Sequence, residues 1–387
     1  MGVNLGSGTL YNYVQGDEYE DIHPDTDMDL IPGFTVAYKA TPAPKCAQVA
    51  KAGLEAFVGG ASTGKIGMAV MRYQSAHAKT IGYQKAYFFF PGNVQPVMVA
   101  KISRTGTAPV YSVLDQKKRE DKVYVDDVEL AYPASNTSLT PTSLWHSNVG
   151  YTFNDLGGKL GLSIKTGVQR GDWSKVGIST QPPIYVDLFA AWIEHKDLNT
   201  PLTYVAYPGV TREEFTSKRK ATSLKVIQKD VAISAIYDAK NKVAMISFWE
   251  AKGGKVTFTP EDKGSPVTVS IDGNAAVILN SGTGELAISD PSQTLTNLAL
   301  TIVQGSETNK VPITLPKGGL LGKSIVTDSF SSKEAIARGN NGESGTGTKE
   351  SKSKDKSSAS HSAQVHAFGF VAVQLGLGSI AMLLSYL

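Results

Sequence analysis

Short apolar stretches separated by Gly, Pro and Asp run through this chain from Ile66 to Val303. Their spacing predicts strands rather than helices. Strands are expected at Ile66–Tyr73, Lys85–Phe90, Val97–Ile102 and Val110–Leu114, with Gln116–Asp121 as a charged turn before Lys122–Val125. More are expected at Gly150–Phe153, Leu160–Ile164, Tyr185–Glu194 and Leu202–Tyr207. Lys85–Phe90 and Val97–Ile102 are nearly continuous in apolar character and read as buried strands. No amphipathic helical run of comparable length interrupts the series, which predicts a large antiparallel sandwich.

After Tyr207 the pattern pauses and restarts. Pro208–Lys220 is a charged connection in which Thr211-Arg212-Glu213-Glu214 predicts one capped helical turn. A second all-β unit is expected from Leu224–Ile227, Val231–Tyr237, Val243–Trp249, Val256–Phe258, Val267–Ile271 and Leu298–Val303, with turns at Asp272-Gly273 and Ser281–Gly284. Near the start, Thr35–Thr63 reads as loop, with one or two helical turns in Ala47–Ala56 and a turn at Phe57–Gly60. From Asp328 the composition changes to Ser, Gly and Lys, a solvated stalk. The expected organisation is a central sandwich over 1–222, a C-terminal β domain over 223–327, a stalk over 328–360 and an apolar segment over 361–387.

Composition narrows the function classes. The 387 residues leave room for two or three domains. A net charge of +3 with no basic stripe implies no nucleic-acid partner. The single cysteine, Cys46, excludes an internal disulfide framework and a cysteine metal cluster. The histidines have no paired ligand spacing, so no metal site is predicted.

The ends of the chain carry targeting information. Met1–Gln15 lacks the basic and apolar regions of a signal peptide. Ala367–Leu387, in contrast, is apolar and long enough to cross a bilayer, and it follows the small-residue cluster Ser357-Ser358-Ala359-Ser360. That order matches a GPI-attachment signal, with Ser357, Ser358 and Ala359 as attachment candidates and a retained tail anchor as the competing reading. A lipid anchor places the protein at the cell surface, outside the cell. Such a signal works only after export, so the expectation is an N-terminally truncated chain whose signal peptide lies upstream.

Local motifs are individually weak. Gly59–Lys65 has the spacing of a phosphate-binding loop, but Ile66 stands where Ser or Thr must hold Mg²⁺. Gly60-Ala61-Ser62-Thr63-Gly64 fits a nucleophile elbow, yet a strand rather than a helix is expected after it, so a hairpin loop is the better reading. His146 and His195 sit beside aromatics and read as core or surface residues, with contact to a saccharide as the sharper option. The aromatic groups Tyr11/Tyr13, Tyr87–Phe90, Trp145, Trp173 and Trp192 read mainly as core, with one or two as sugar-stacking platforms. Asn136-Thr137-Ser138 is an N-glycosylation acceptor, expected in a loop.

The stretch with the composition of a ligand-facing edge is Gly6-Ser7-Gly8-Thr9-Leu10-Tyr11-Asn12-Tyr13, continuing through Asp17-Glu18-Tyr19 to Leu30-Ile31-Pro32-Gly33-Phe34-Thr35-Val36. It resembles the segment that opens the β-sandwich of family 8 polysaccharide lyases, the hyaluronate, chondroitin and xanthan lyases. An ordered set of landmarks extends the likeness: Phe57–Gly60, Tyr83–Phe90, Val110–Gln116, Trp145–Tyr151, Gly171-Asp172-Trp173, Glu194-His195-Lys196 and Tyr204–Pro208. Leu224 onward resembles the family's smaller C-terminal β domain, so the likeness covers Gly6 to Val326. The stalk and tail fit fungal members best.

The resemblance implies an all-β chain, a super-sandwich of the galactose-mutarotase type followed by a smaller β-sandwich. It implies β-elimination on an acidic, uronate-containing polysaccharide without a metal or organic cofactor. Asn, Tyr, His and Arg of an N-terminal helical toroid carry that chemistry in the family. No part of that domain is visible in this sequence, so the chain is expected to be inactive alone. The substrate-edge candidates it leaves here are Asn4, Tyr11, Tyr13 and His23. His23, Thr26 and Met28 stand where relatives tend to have aromatics, Phe34 replaces a usual Thr, and Pro91-Gly92 follows the aromatic strand where bacterial members often have acids. The alternative reading is a non-enzymatic carbohydrate-binding or wall-structural surface protein on the same sandwich. A hydrolase using Ser62 is a third.

Overall fold

The computed structural model describes residues 8–40, 53–76, 79–175, 178–260, 264–329, 335–336 and 369–371. The attachment candidates Ser357, Ser358 and Ala359 lie outside the described residues, as do Asn4, Cys46, nearly all of the stalk and most of the apolar tail. Gly369–Val371 runs antiparallel to Leu10–Asn12. Among the described residues no helix is long and apolar enough to cross a membrane.

Two antiparallel sheets face each other in the first sandwich. The larger has nine strands in the order Val58–Ser62, Gly67–Gln74, Ile81–Phe89, Gln95–Arg104, Leu202–Pro208, Val149–Phe153, Ser143–His146, Tyr124–Val125 and Val128–Glu129. The smaller has five, ordered Ser135–Leu139, Leu160–Gly171, Ile184–His195, Val110–Lys118 and Thr35–Ala37. Val97, Val99, Leu144 and Tyr151 of the first meet Leu162, Ile164, Phe189 and Ile193 of the second in a shared core.

A second sandwich follows the helix Arg212–Lys220. Its six-stranded sheet runs Leu224–Lys229, Ile233–Asp238, Val243–Phe248, Ala275–Asn280, Glu285–Ser289 and Ile325–Asp328. Facing it are Gly254–Phe258, Val267–Ile271, Asn297–Gln304, Glu307–Thr314 and the parallel strand Ala335–Ile336. The alternation in Val267–Ile271 follows the pleat, with Val267, Val269 and Ile271 all turned into the core.

The two sandwiches pack face to face. Met68, Val70, Phe88 and Met98 of the nine-stranded sheet meet Met245, Ile278 and Ala287 of the six-stranded one and Trp249, which follows its strand Val243–Phe248. Ile81–Phe89 is therefore covered on both sides, which explains its lack of alternation: Tyr83 and Tyr87 face one core, Ala86 and Phe88 the other.

Several expectations change. Phe57–Gly60 is not a turn; Val58–Ser62 pairs with Gly67–Gln74, and the turn is confined to Thr63–Ile66. Its glycines permit close approach: a Cβ on Gly60 would stand 2.1 Å from the Met68 carbonyl, and one on Gly59 3.0 Å from Pro291 of the second sandwich. Ser62 is consumed by this hairpin and donates to the Ile66 carbonyl. Thr35–Ala37, expected as loop, is a strand paired with Val110–Lys118.

Gln116–Asp121 is not wholly a turn either, because Val110–Lys118 continues through Asp115, Gln116 and Lys117, all buried. The sequon also moves from loop to edge strand. Asn136 pairs with the core residue Ile164 and leaves the strand on that face, half-buried at the rim between the sheets.

Candidate functional site

The leading segment crosses one end of the five-stranded sheet, and its local chemistry explains its path. Glu18 is buried and accepts from the backbone N–H groups of Val14, Gln15 and Gly16 at 2.7, 2.7 and 2.9 Å, which closes the acidic turn. Burial raises the Glu18 carboxyl, but the backbone donors outweigh it and hold the group below the usual range. The turn therefore keeps its negative charge.

Further on, Gly33 has φ +83°, and a Cβ there would lie 2.3 Å from the Leu10 amide nitrogen. Only glycine meets both conditions at once. The Leu10 amide donates to the Pro32 carbonyl at 3.0 Å, tying the beginning of the segment to its end.

Three alternate residues of Ile81–Phe89 hold this segment from beneath. The Tyr83 hydroxyl is held by the Thr35 backbone. Lys85 Nζ donates to the Gly33 carbonyl at 2.5 Å, and the Tyr87 hydroxyl donates to the Gly8 carbonyl at 2.5 Å. Period-two geometry puts all three on one face of the strand, so a single element positions the whole edge. Lys85 is 1% exposed, and burial brings its amine down to about 7.

A second polar cluster supports the tyrosines. Tyr11, Tyr13 and Tyr19 form a triad with ring centroids 4.7, 5.0 and 6.1 Å apart. Beneath it the Tyr19 hydroxyl donates to Asp115 Oδ1 at 2.8 Å, and Tyr151 reaches Asp115 Oδ2 at 3.4 Å. Lys117 Nζ is 3.5 Å from the same carboxylate, and both members of that pair are 1% exposed. Burial raises the Asp115 carboxyl, with Lys117 and Tyr19 pulling it partly back.

The sequence candidates divide accordingly. Tyr13 is 39% exposed and Tyr11 half-buried, so these two bring ring surface towards solvent. Burial, then Tyr13 and Asp115, push the Tyr11 hydroxyl up to about 12. His23 is half-buried in the turn, where its carbonyl accepts from Thr26 Oγ1 at 3.0 Å. Asn4 lies outside the described residues.

His146 and His195 are core residues. His146 stacks on Phe189 at 4.1 Å, while His195 shares a 2.8 Å hydrogen bond with Ser112 Oγ. Burial lowers both, and Lys117 and Lys85 respectively add repulsion; His195 reaches about 3. Among the described residues no group of three His, Cys, Asp or Glu side chains is placed to hold a metal.

Lys85, Asp115 and Lys117 are the site residues that pattern reading missed as such. Lys85 fell inside a run read as a buried strand and Lys117 inside a charged turn, and neither was singled out; the available signal was their position inside or beside apolar runs.

Comparison with known proteins places this edge in a family. A model described as polysaccharide lyase family 8, super-sandwich domain, matches residues 1–219. The chain belongs to polysaccharide lyase family 8. A second model, the family 8 C-terminal β-sandwich domain, matches residues 225–299.

The chain is 26% identical over 336 residues to chondroitinase-AC of Pedobacter heparinus, a match covering 84% of this chain and 46% of that protein. Among solved structures, a chondroitinase AC lyase from a study of its oligosaccharide complexes superposes with TM-score 0.71 at 24% identity, covering 81% of this chain and 46% of that one. Paenibacillus xanthan lyase gives TM-score 0.72 at 17% identity, covering 84% and 33%. At these identities the superpositions speak to the fold. The family 8 chain spans less than half the length of each of these relatives.

Proposed function

We propose that this chain is the β portion of a secreted polysaccharide lyase that cleaves a uronate-containing polysaccharide by β-elimination, with the leading segment lying along the saccharide path. The observation that carries the reading is the pair of consecutive family 8 matches over 1–219 and 225–299. Elimination removes the proton beside the uronate carboxyl, which requires that carboxylate to be neutralised and a base to reach the carbon.

On this reading the proton-transferring groups come from a helical domain, and the β portion supplies sugar contacts and a rigid support. The chemistry of the edge agrees. Tyr19 within the edge and Tyr83, Tyr87 and Tyr151 beneath it are buried, and burial raises all four hydroxyls well above their ordinary range. They position the edge instead of exchanging protons with a substrate. Tyr11 and Tyr13 offer apolar ring surface of the kind that stacks on a pyranose.

The test is direct. Purified chain is run in affinity electrophoresis against chondroitin sulfate, hyaluronan and xanthan, and the same mixtures are followed for ultraviolet absorbance of unsaturated uronate. Retardation by at least one polymer is expected, weakened severalfold by Tyr13→Ala, with no rise in absorbance. A rise would overturn inactivity of the isolated β portion, and no retardation by any polymer would overturn the saccharide role. The reading also puts the body at a cell surface on a lipid anchor, supported by the small-residue cluster before the apolar tail. Release from intact cells by a phosphatidylinositol-specific phospholipase tests that part, and retention after treatment counts against it.

A further inference from the structure

The middle one of the three residues beneath the leading segment is an amine buried without a counter-ion among the described residues. Lys85 Nζ donates to the Gly33 carbonyl, the tight point of the Pro32-Gly33 turn, and lies 5.2 and 5.9 Å from the ring centres of Tyr83 and Tyr87 on its own strand. Met71 and Val99 stand opposite it on the neighbouring strands. Gly67–Gln74 contributes Tyr73, which packs on Tyr83, and Leu202–Pro208 contributes Tyr204, which acts on Tyr87.

From the facing sheet, Ile184–His195 brings His195, whose imidazole stays neutral. Val110–Lys118 brings Ser112, and its Asp115 is already paired with Lys117. Thr35 of the short edge strand adds only a hydroxyl. Among the described residues no carboxylate makes an ion pair with Lys85.

We propose that Lys85 is a proton-sensitive positioning residue, a latch that ties the Pro32-Gly33 turn to the sandwich while its amine is neutral and loosens the leading segment when it takes up a proton. A neutral amine fills the site with one hydrogen bond and contact with two rings. An ammonium in the same place would be a buried charge met by one carbonyl and two ring faces but by no carboxylate among the described residues, a burial that proteins relieve by opening or by shedding the proton. Opening the segment exposes the amine to water, where it protonates with its ordinary pKa of about 10.4.

The sign of the effect follows. Burial lowers Lys85 to about 7 in the closed form, so the closed form binds fewer protons than the open one between that value and the ordinary one. Stability of the closed edge is full above that window and falls as pH drops through it. Each pH unit favours opening by about tenfold. Below the closed-form value both states carry the proton and the dependence ends. The inference goes beyond the lyase reading and does not need it, because the edge opens or stays closed without substrate.

Hydrogen exchange of the full chain measured by mass spectrometry between pH 6 and pH 9 tests this, after correction for intrinsic base-catalysed exchange. In peptides from 8–36 the opening equilibrium is expected to rise by about tenfold per unit from pH 9 to pH 7 and to level off below. Lys85→Met, which keeps the stem and removes the proton site, is expected to abolish the slope. The wild-type profile decides the matter even where that variant folds poorly. A flat wild-type profile overturns the proposal, and so does an unchanged slope in Lys85→Met. A slope shared equally by peptides of the second sandwich also overturns it, because opening would then be global and not a property of the leading edge.

Discussion

Among the described residues two lysines are almost completely buried, and their surroundings differ, because one of them faces a carboxylate and the other does not. Lys117 faces Asp115 at 3.5 Å, whereas Lys85 has a carbonyl and two aromatic rings. Removing Lys117 leaves Asp115 buried without its counter-charge, held by the Tyr19 and Tyr151 hydroxyls and the Gln116 backbone. Lys117→Met is therefore expected to cost about 3–5 kcal/mol near neutral pH. The cost shrinks as pH falls, because the unpaired carboxyl takes up a proton and the folded state then binds more protons than the unfolded one. Urea denaturation at neutral and mildly acidic pH measures both features; a loss under about 1 kcal/mol at neutral pH would remove the pair from the account of the edge. Lys85 opens a run that reads as a buried strand, but the burial of Lys117 is not legible in the sequence. Asp115-Gln116-Lys117-Lys118 has the composition of a turn, and only the facing Tyr19 and Tyr151 reveal it as a strand interior.

At the scale of elements, the helix Arg212–Lys220 shows how local signals determine a start but not a length. Thr211 and Glu214 form a reciprocal capping box, Glu213 and Glu214 occupy the first turn, and Lys218, Arg219 and Lys220 the last, each sign matched to the helix dipole. Those signals were legible and predicted a single turn. The helix runs for 9 residues because Phe215 is buried against Tyr207 and over Gly150, where a Cβ would lie 2.2 Å from its ring. Trp145 completes the cover by donating Nε1–H to the Val210 carbonyl at 3.0 Å. Thr211→Ala is expected to cost about 1 kcal/mol and Phe215→Ala about 3–5 kcal/mol. Equal losses in thermal or chemical denaturation would show that capping, not packing, holds the helix.

For the whole molecule, the question is whether the sandwiches unfold together. Their interface is continuous core: Trp249 is fully buried, 5.1 Å from Phe57, and donates Nε1–H to Ser234 Oγ at 3.0 Å. Arg72 caps the contact by donating to the Trp249 carbonyl while lying 5.0 Å from the Phe57 ring. Ser289 Oγ donates to the Gly60 carbonyl at 2.8 Å, and the Val58 amide donates to the Pro291 carbonyl at 3.1 Å. A single calorimetric transition is expected for the wild-type chain, and Trp249→Ala is expected to split it by removing about 3–5 kcal/mol from the shared interface. Two transitions in the wild type would mean that the sandwiches are thermodynamically separate.

By itself the sequence determined the class of the fold, because period-two alternation and turn residues are local properties readable without contacts. It also singled out the leading segment as a candidate edge, because its glycines, tyrosines and Pro-Gly step carry backbone freedom and ring surface that are readable locally. The tertiary structure decided what the charged residues do. A lysine inside an apolar run is silent until the facing strand shows whether a carboxylate, a carbonyl or water meets it, and desolvation depends on all those neighbours at once. That is why Tyr11 and Tyr13 could be named as edge candidates from the chain alone, while Lys85 and Asp115, which hold the edge in place, emerged only when the sheets were brought together.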